Sequence, residues 1–142
     1  MRALLTAEPA MAPEQARLLS PLQLAYVGDS VHALLVRTYL MEKNLPVRDM
    51  HADANRAVSA VSQAREAQRI APLLTEEESD VFRRGRNAHP RHAGPKSATA
   101  GEYAGATGLE ALLGYLYLTG QSGRIQALMP YLLTSDQESS ER

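Results

Sequence analysis

The 142-residue chain has no cysteine, no tryptophan and a single phenylalanine. Without cysteine it builds neither a disulfide framework nor a thiolate zinc site, which agrees with a reducing compartment. Aromatic residues make up only 5% of the chain, thin for a protein that stacks single-stranded bases on aromatic platforms. Charge of one sign is also missing. Fifteen Lys and Arg face 16 Asp and Glu, for a formal net charge of -1. Bulk charge therefore does not draw the chain to a polyanion, and any anion contact needs a local concentration of basic residues. No apolar run is long enough to span a membrane. The opening "MRALLTAEPAMAPEQ" is too weakly basic and apolar for a secretory signal. The chain reads as cytoplasmic, with no membrane partner.

What is present is helical period. Ser20-Pro21 has the form of a helix start, Ser as N-cap and Pro at the first helical position. Leu24, Val27, Val31, Leu34 and Leu35 follow at spacings of three and four, and "KNLP" supplies stop signals near residue 44. Residues 48–70 read as one Ala-rich helix whose inner face is Ala54, Ala57, Val58, Val61 and Ala64. "TEEE" at Thr75 to Glu78 matches a capping box and opens a helix to about Asn87 that ends basic, as the dipole favours. Residues 89–101 hold two prolines and two glycines and read as a loop; 102–119 form a strongly apolar helix. A shorter helix over 125–133 is kinked or ended at Pro130. No segment alternates as a strand does. The fold class is all-α, a bundle of five or six helices over residues 21–133. Residues 1–20 form a loose lead-in with at most a helical turn, and 134–142 a disordered polar tail.

Two acids stand out against this apolar background. Asp29 lies in "AYVGDSVHALLVR" and Glu110 in "GATGLEALLGYLYL", and neither helix offers Arg or Lys one turn away. Each has glycine nearby: Gly28 beside Asp29, Gly108 and Gly114 around Glu110. Mid-helix glycine costs about 1 kcal/mol relative to alanine and is tolerated where another backbone passes close. The two helices are expected to cross tightly and bring the acids together as a buried pair. Carboxylates so placed share a proton or a cation, and oxygen-only ligation favours a hard ion such as Mg²⁺ or Mn²⁺. The plainer alternative is two unrelated acids, each partly exposed.

Charge asymmetry reappears locally in "RRGRNAHPRHAGPK". Residues 83–96 hold five of the 15 basic residues and two of the four histidines, with no acid. Arg83, Arg84, Arg86, Arg91 and Lys96 suit phosphate contacts, and Asn87 and His92 suit hydrogen bonds to sugar or phosphate. With no aromatic in the segment, a duplex read by shape and backbone fits better than a single strand. A solvated helix end accounts for the first three arginines equally well. The polar stripe Asn55, Arg56, Ser59, Ser62 and Gln63 reads as a solvent face that could extend a binding surface.

"AYVGDSVHALLVR", "VSAVSQA", "RRGRNA", "GPK" and "YAGATGLEALLGYLYL" occur in the order and spacing of Mini-ribonuclease III, which the chain resembles from about Pro21 to Leu133. This is the small bacterial branch of the ribonuclease III family, with a catalytic domain and no separate duplex-binding domain. The resemblance implies a homodimeric, Mg²⁺-dependent endonuclease that cuts double-stranded RNA to 5′-phosphate and 3′-hydroxyl ends. The implied substrate is the precursor of large-subunit (23S) ribosomal RNA. The catalytic, metal-holding acids map onto Asp29 and Glu110. The RNA-contacting segment maps onto Arg83, Arg84, Arg86, Asn87 and Lys96, with Arg91, His92 and Gln63 as further candidates. The chain departs from full-length ribonuclease III at Ala25 and Thr107, where those enzymes carry acids, a thinning the small branch shares. It also has Val61 where members of that branch tend to have lysine. Two other classes stay open at this point: a non-catalytic helical dimer binding structured RNA, and a helical interaction module.

Overall fold

A computed structural model describes residues 5–88 and 98–133. Seven α-helices follow one another: α1 Pro13–Leu18, α2 Pro21–Leu40, α3 Val47–Ala57, α4 Ala60–Ile70, α5 Glu76–Asn87, α6 Ala100–Leu118 and α7 Ser122–Leu132, with short 3-10 turns at Met41–Lys43 and Ala71–Leu73. Among the described residues there is no strand. The all-α expectation is met.

Helix α6 is the axis of the fold. Its apolar character runs all the way round, which suits a helix enclosed by others. Leu109, Ala111, Leu112, Leu113, Tyr115 and Leu116 are essentially inaccessible. Each buried leucine contributes roughly 2 kcal/mol relative to an exposed one. Around α6 pack α2, α5 and α4, with α7 and α1 completing the cover.

Local signals set most boundaries. Ser20 caps α2 with Gln23 in a reciprocal capping box, and Asn44, in the left-handed region at φ 51°, follows the turn that ends it. Thr75 and Glu78 form the expected box at α5. A third box, Thr99 with Glu102, starts α6 two residues before the expected start, so residues 99–101 belong to the cap and first turn and not to a loop. Pro130 stays inside α7, which continues to Leu132.

Three expectations need correction. The helix expected over 48–70 is two, because the Ser59 hydroxyl accepts from the Ser62 N–H and caps a new start at Ala60. The inner face expected there fails with it: α3 buries none of its residues, and α4 buries Gln63, Glu66, Ala67 and Ile70. On α2 the buried arc is 24, 25, 28, 31, 32, 35, 36 and 40, which leaves Leu34 exposed. The arc is turned toward Ala25 and Gly28, because small residues let α6 come close. Finally, residues 13–18, read as part of a loose lead-in, form α1; Ala16 is fully buried and the Met11 N–H donates to the Leu118 carbonyl at 2.7 Å.

Candidate active site

Helices α2 and α6 meet backbone to backbone. A Cβ at position 28 would sit 1.6 Å from the Glu110 carbonyl oxygen, and one at position 114 would sit 2.0 Å from the Leu24 carbonyl oxygen. Only glycine fits either place. The close approach expected from the sequence is therefore present, made by Gly28 and Gly114; Gly108 instead faces Phe82 of α5.

This crossing brings Asp29 and Glu110 together. Asp29 is exposed, contrary to its reading as a buried acid, while Glu110 is half-buried. Burial first, then the hydrogen bond to Asp29 and the repulsion of its charge, push the Glu110 carboxyl up to about 8. A carboxyl held this far from its ordinary range, with another carboxyl as its neighbour, makes the pair a candidate functional site. At neutral pH Glu110 therefore keeps its proton, in a hydrogen bond with Asp29.

The donor set fits a hard divalent cation: two carboxylates, oxygen only, with Asp29 open to water. Among the described residues no group of three or more His, Asp or Glu side chains is arranged to hold an ion. Water would complete the shell of an ion held there. At the two thinned positions Ala25 is buried and the Thr107 hydroxyl donates to the Tyr103 carbonyl at 2.9 Å.

The basic face of α5 has a simple origin. Gly85 packs onto α6, where its Cβ would meet that of Ala111 at 2.7 Å. Arg83, Arg84, Arg86 and Asn87 are thereby turned outward. Arg83 pairs with Asp80, Arg84 donates to the Arg17 carbonyl at 3.4 Å, and the Arg86 guanidinium lies 6.0 Å from the Phe82 ring centre. Arg91, His92 and Lys96 lie outside the described residues. Gln63 is not on a solvent face: it is 2% exposed and its amide donates to the Val58 carbonyl at 3.1 Å, bracing the α3–α4 bend.

Sequence reading missed a second polar pair. His32, one turn after Asp29, reaches Glu66 of α4 with Nε2 to Oε2 at 2.8 Å, and both side chains are buried. The available signal was His32 on the buried arc of α2 and Glu66 one turn after Gln63 on the face of α4 toward the core.

An all-helical bundle with a carboxylate pair at its central crossing and a basic helix face suits a class of proteins that act on a phosphate backbone. Comparison with known proteins narrows it. Residues 22–121 match the Ribonuclease III domain. The chain is 49% identical over 112 residues to a Mini-ribonuclease 3 of Symbiobacterium thermophilum, covering 78% of this chain and 85% of that one. It is 46% identical over 112 residues to a Mini-ribonuclease 3 of Thermoanaerobacter sp., covering 78% of each. A crystal structure of a Fusobacterium nucleatum protein superposes with a TM-score of 0.74 at 28% identity, covering 82% of this chain and 93% of that one. The chain belongs to the ribonuclease III family, in its Mini-ribonuclease III branch.

Proposed function

We propose that this double-strand-specific endoribonuclease cuts RNA at the Asp29–Glu110 pair, with Mg²⁺ as its ion and Mn²⁺ as a substitute. The observation that carries the reading is the pair itself: two facing carboxyls with no basic partner on their own helices, one pushed up to about 8. The chemistry a divalent ion supplies when bound there is activation of water and neutralisation of charge at a phosphodiester.

The chain's own groups do the rest. Glu110 gives up its shared proton, so that both acids are anionic and can ligate. Asp29, exposed on α2, would offer its oxygens to the ion on the side from which the phosphate approaches, while Glu110 is held firm by the α2–α6 crossing beneath it. Arg83, Arg84, Arg86 and Asn87 grip backbone phosphates beside the cut. The exposed Arg83–Asp80 pair is a weak restraint that a phosphate can displace. Lys96, Arg91 and His92 extend this grip. Gln63 acts only from beneath the surface. Ala25 and Thr107 supply no carboxylate, so an ion would be held through more water than a four-acid site would allow.

The working form is a homodimer. An apolar groove of about 460 Å³ is lined by Met11, Leu19, Leu22, Tyr26, Val27 and Leu118, with Tyr26 83% exposed three residues before Asp29. A two-fold pairing on this face would place two sites on one duplex. The paired ends of 23S ribosomal RNA precursor, in the cytoplasm, are the proposed substrate; that choice rests on the resemblance.

The test is cleavage of a long RNA duplex with Mg²⁺ and with chelator. Asp29→Asn and Glu110→Gln should each cut on the order of 1,000-fold more slowly while still binding duplex. Cutting by either variant near the wild-type rate would remove that acid from the site.

A further inference from the structure

A buried His–Glu pair between two helices is an expensive way to fill space. Two polar side chains leave water to hydrogen-bond each other, and a pair of apolar side chains of similar volume commonly serves stability as well or better. Yet His32 is 0% exposed and Glu66 4% exposed, joined at 2.8 Å across the contact of α2 with α4. The His32 Nδ1 has no partner. The less costly arrangement has Nε2–H donating to the Glu66 carboxylate, with only a bare lone pair buried at Nδ1.

Its place explains it. The Gly28 contact fixes how near α2 comes to α6, but with no side chain at position 28 it does little to fix how α2 is rolled about its own axis. His32 stands one turn beyond Asp29 and about 60° round the helix from it. A directional hydrogen bond at that point, made to a third helix, sets the roll. Its anchor is stiff: Gln63, one turn earlier on α4, ties its amide to the Val58 carbonyl. We propose that the His32–Glu66 hydrogen bond is a positioning pair, which holds the Asp29 carboxylate in register with Glu110. A displacement of about 1 Å at such a site can cost on the order of 100-fold in rate. This role rests on the reading of Asp29 and Glu110 as the ion-holding acids.

The experiment compares wild type, the double variant His32→Leu/Glu66→Leu, and Glu66→Gln. Three quantities are read: melting temperature, Mn²⁺ affinity by electron paramagnetic resonance, and kcat and KM on a duplex. The double leucine variant should melt at or above the wild-type temperature, bind Mn²⁺ about tenfold more weakly, and lose about 10- to 100-fold in kcat with KM nearly unchanged. Glu66→Gln keeps an acceptor for Nε2–H and should recover both properties to within about threefold. If the double variant does not fold, Glu66→Met removes the acceptor alone in nearly the same volume and should show the same loss of Mn²⁺ affinity. A folded double variant, or a folded Glu66→Met, with wild-type Mn²⁺ affinity and kcat would overturn the role. So would a double variant and Glu66→Gln that are equally impaired. A wild-type chain that neither binds Mn²⁺ nor cuts duplex would instead overturn the functional reading, and the pair's role with it.

Discussion

Helix α6 carries acidic neighbours on two of its sides, and the two sets live under opposite rules. Toward α5 the carboxylates of Glu77 and Glu78 each have a cationic partner. Arg124 holds Glu78 with Nε to Oε2 at 2.8 Å and Nη2 to Oε1 at 2.9 Å, and Arg17 holds Glu77 at 2.7 Å while the Tyr115 hydroxyl donates to it. Burial alone would raise Glu78, but the hydrogen bonds from Arg124 and the Thr75 backbone outweigh it and keep its carboxyl below the ordinary value. Tyr115, buried and bonded to Glu77, is pushed up to about 12. Toward α2, among the described residues, the acids have only each other, and Glu110 rises to about 8. Residue type does not separate a structural acid from a functional one. What separates them is whether the fold supplies the compensating charge or leaves it to a ligand.

The sharpest way to break this comparison is to neutralise one acid of each kind. Glu110→Gln is expected to cost on the order of 1,000-fold in cleavage. Glu78→Gln should leave cleavage per folded molecule within a few-fold and weaken the fold instead. Duplex cleavage rates beside urea midpoints separate the two outcomes.

Next in size is the crossing that creates the unpaired site. Gly28→Ala places a methyl group inside the Glu110 carbonyl, so α2 and α6 must separate. The expected loss is about 3 kcal/mol or more in urea unfolding, with Mn²⁺ affinity lost as well. A variant as stable as wild type would mean that the helices do not touch there.

On the paired side, Arg124→Met strands a buried Glu78. Roughly 2–3 kcal/mol should be lost, with little change in cleavage by the molecules that remain folded. Loss of cleavage without loss of stability would contradict the division of roles.

Smaller, but specific, is opposite pH behaviour. Glu110 is raised, so its contribution to the metal-free fold is complete below about 4.5 and is lost as pH rises through about 8. Glu78 is lowered, so its contribution holds above the ordinary carboxyl range and is lost as pH falls through its depressed value. A divalent ion competes with the Glu110 proton. Its apparent affinity should therefore rise about tenfold per pH unit from 6 to 8 and then level. Calorimetric titration at several pH values would show a flat profile if the two acids did not share a proton.

Much of this was legible in the sequence where a local signal had no competitor. Ser20-Pro21 and the Thr75–Glu78 box placed α2 and α5, and two acids near glycines marked the close crossing of α2 with α6. Legibility failed where tertiary contacts chose among local options. Ser59 lay in an Ala-rich run, and nothing nearby revealed that its hydroxyl would start a new helix. Leu34 continued an aliphatic stripe, but α6 packed against the small side of α2 and left it outside. Gln63 looked like part of a solvent stripe because the α3–α4 bend that buries it was itself unseen. Asp29 looked buried because its neighbours in sequence are apolar, although it lies at the margin of the arc. The pair was readable as chemistry, but the exposure of each member required the packed helices.

We propose that Asp29 and Glu110 have no basic partner among the described residues because a divalent ion is their partner. Calorimetric titration of Mn²⁺ into metal-free wild type and Glu110→Gln at pH 8, both folded by melting temperature, tests it most directly. Saturable binding to wild type that is lost or weakened by at least about tenfold in the variant is the expected result. Equal binding by the two proteins, or none by wild type, would contradict the claim.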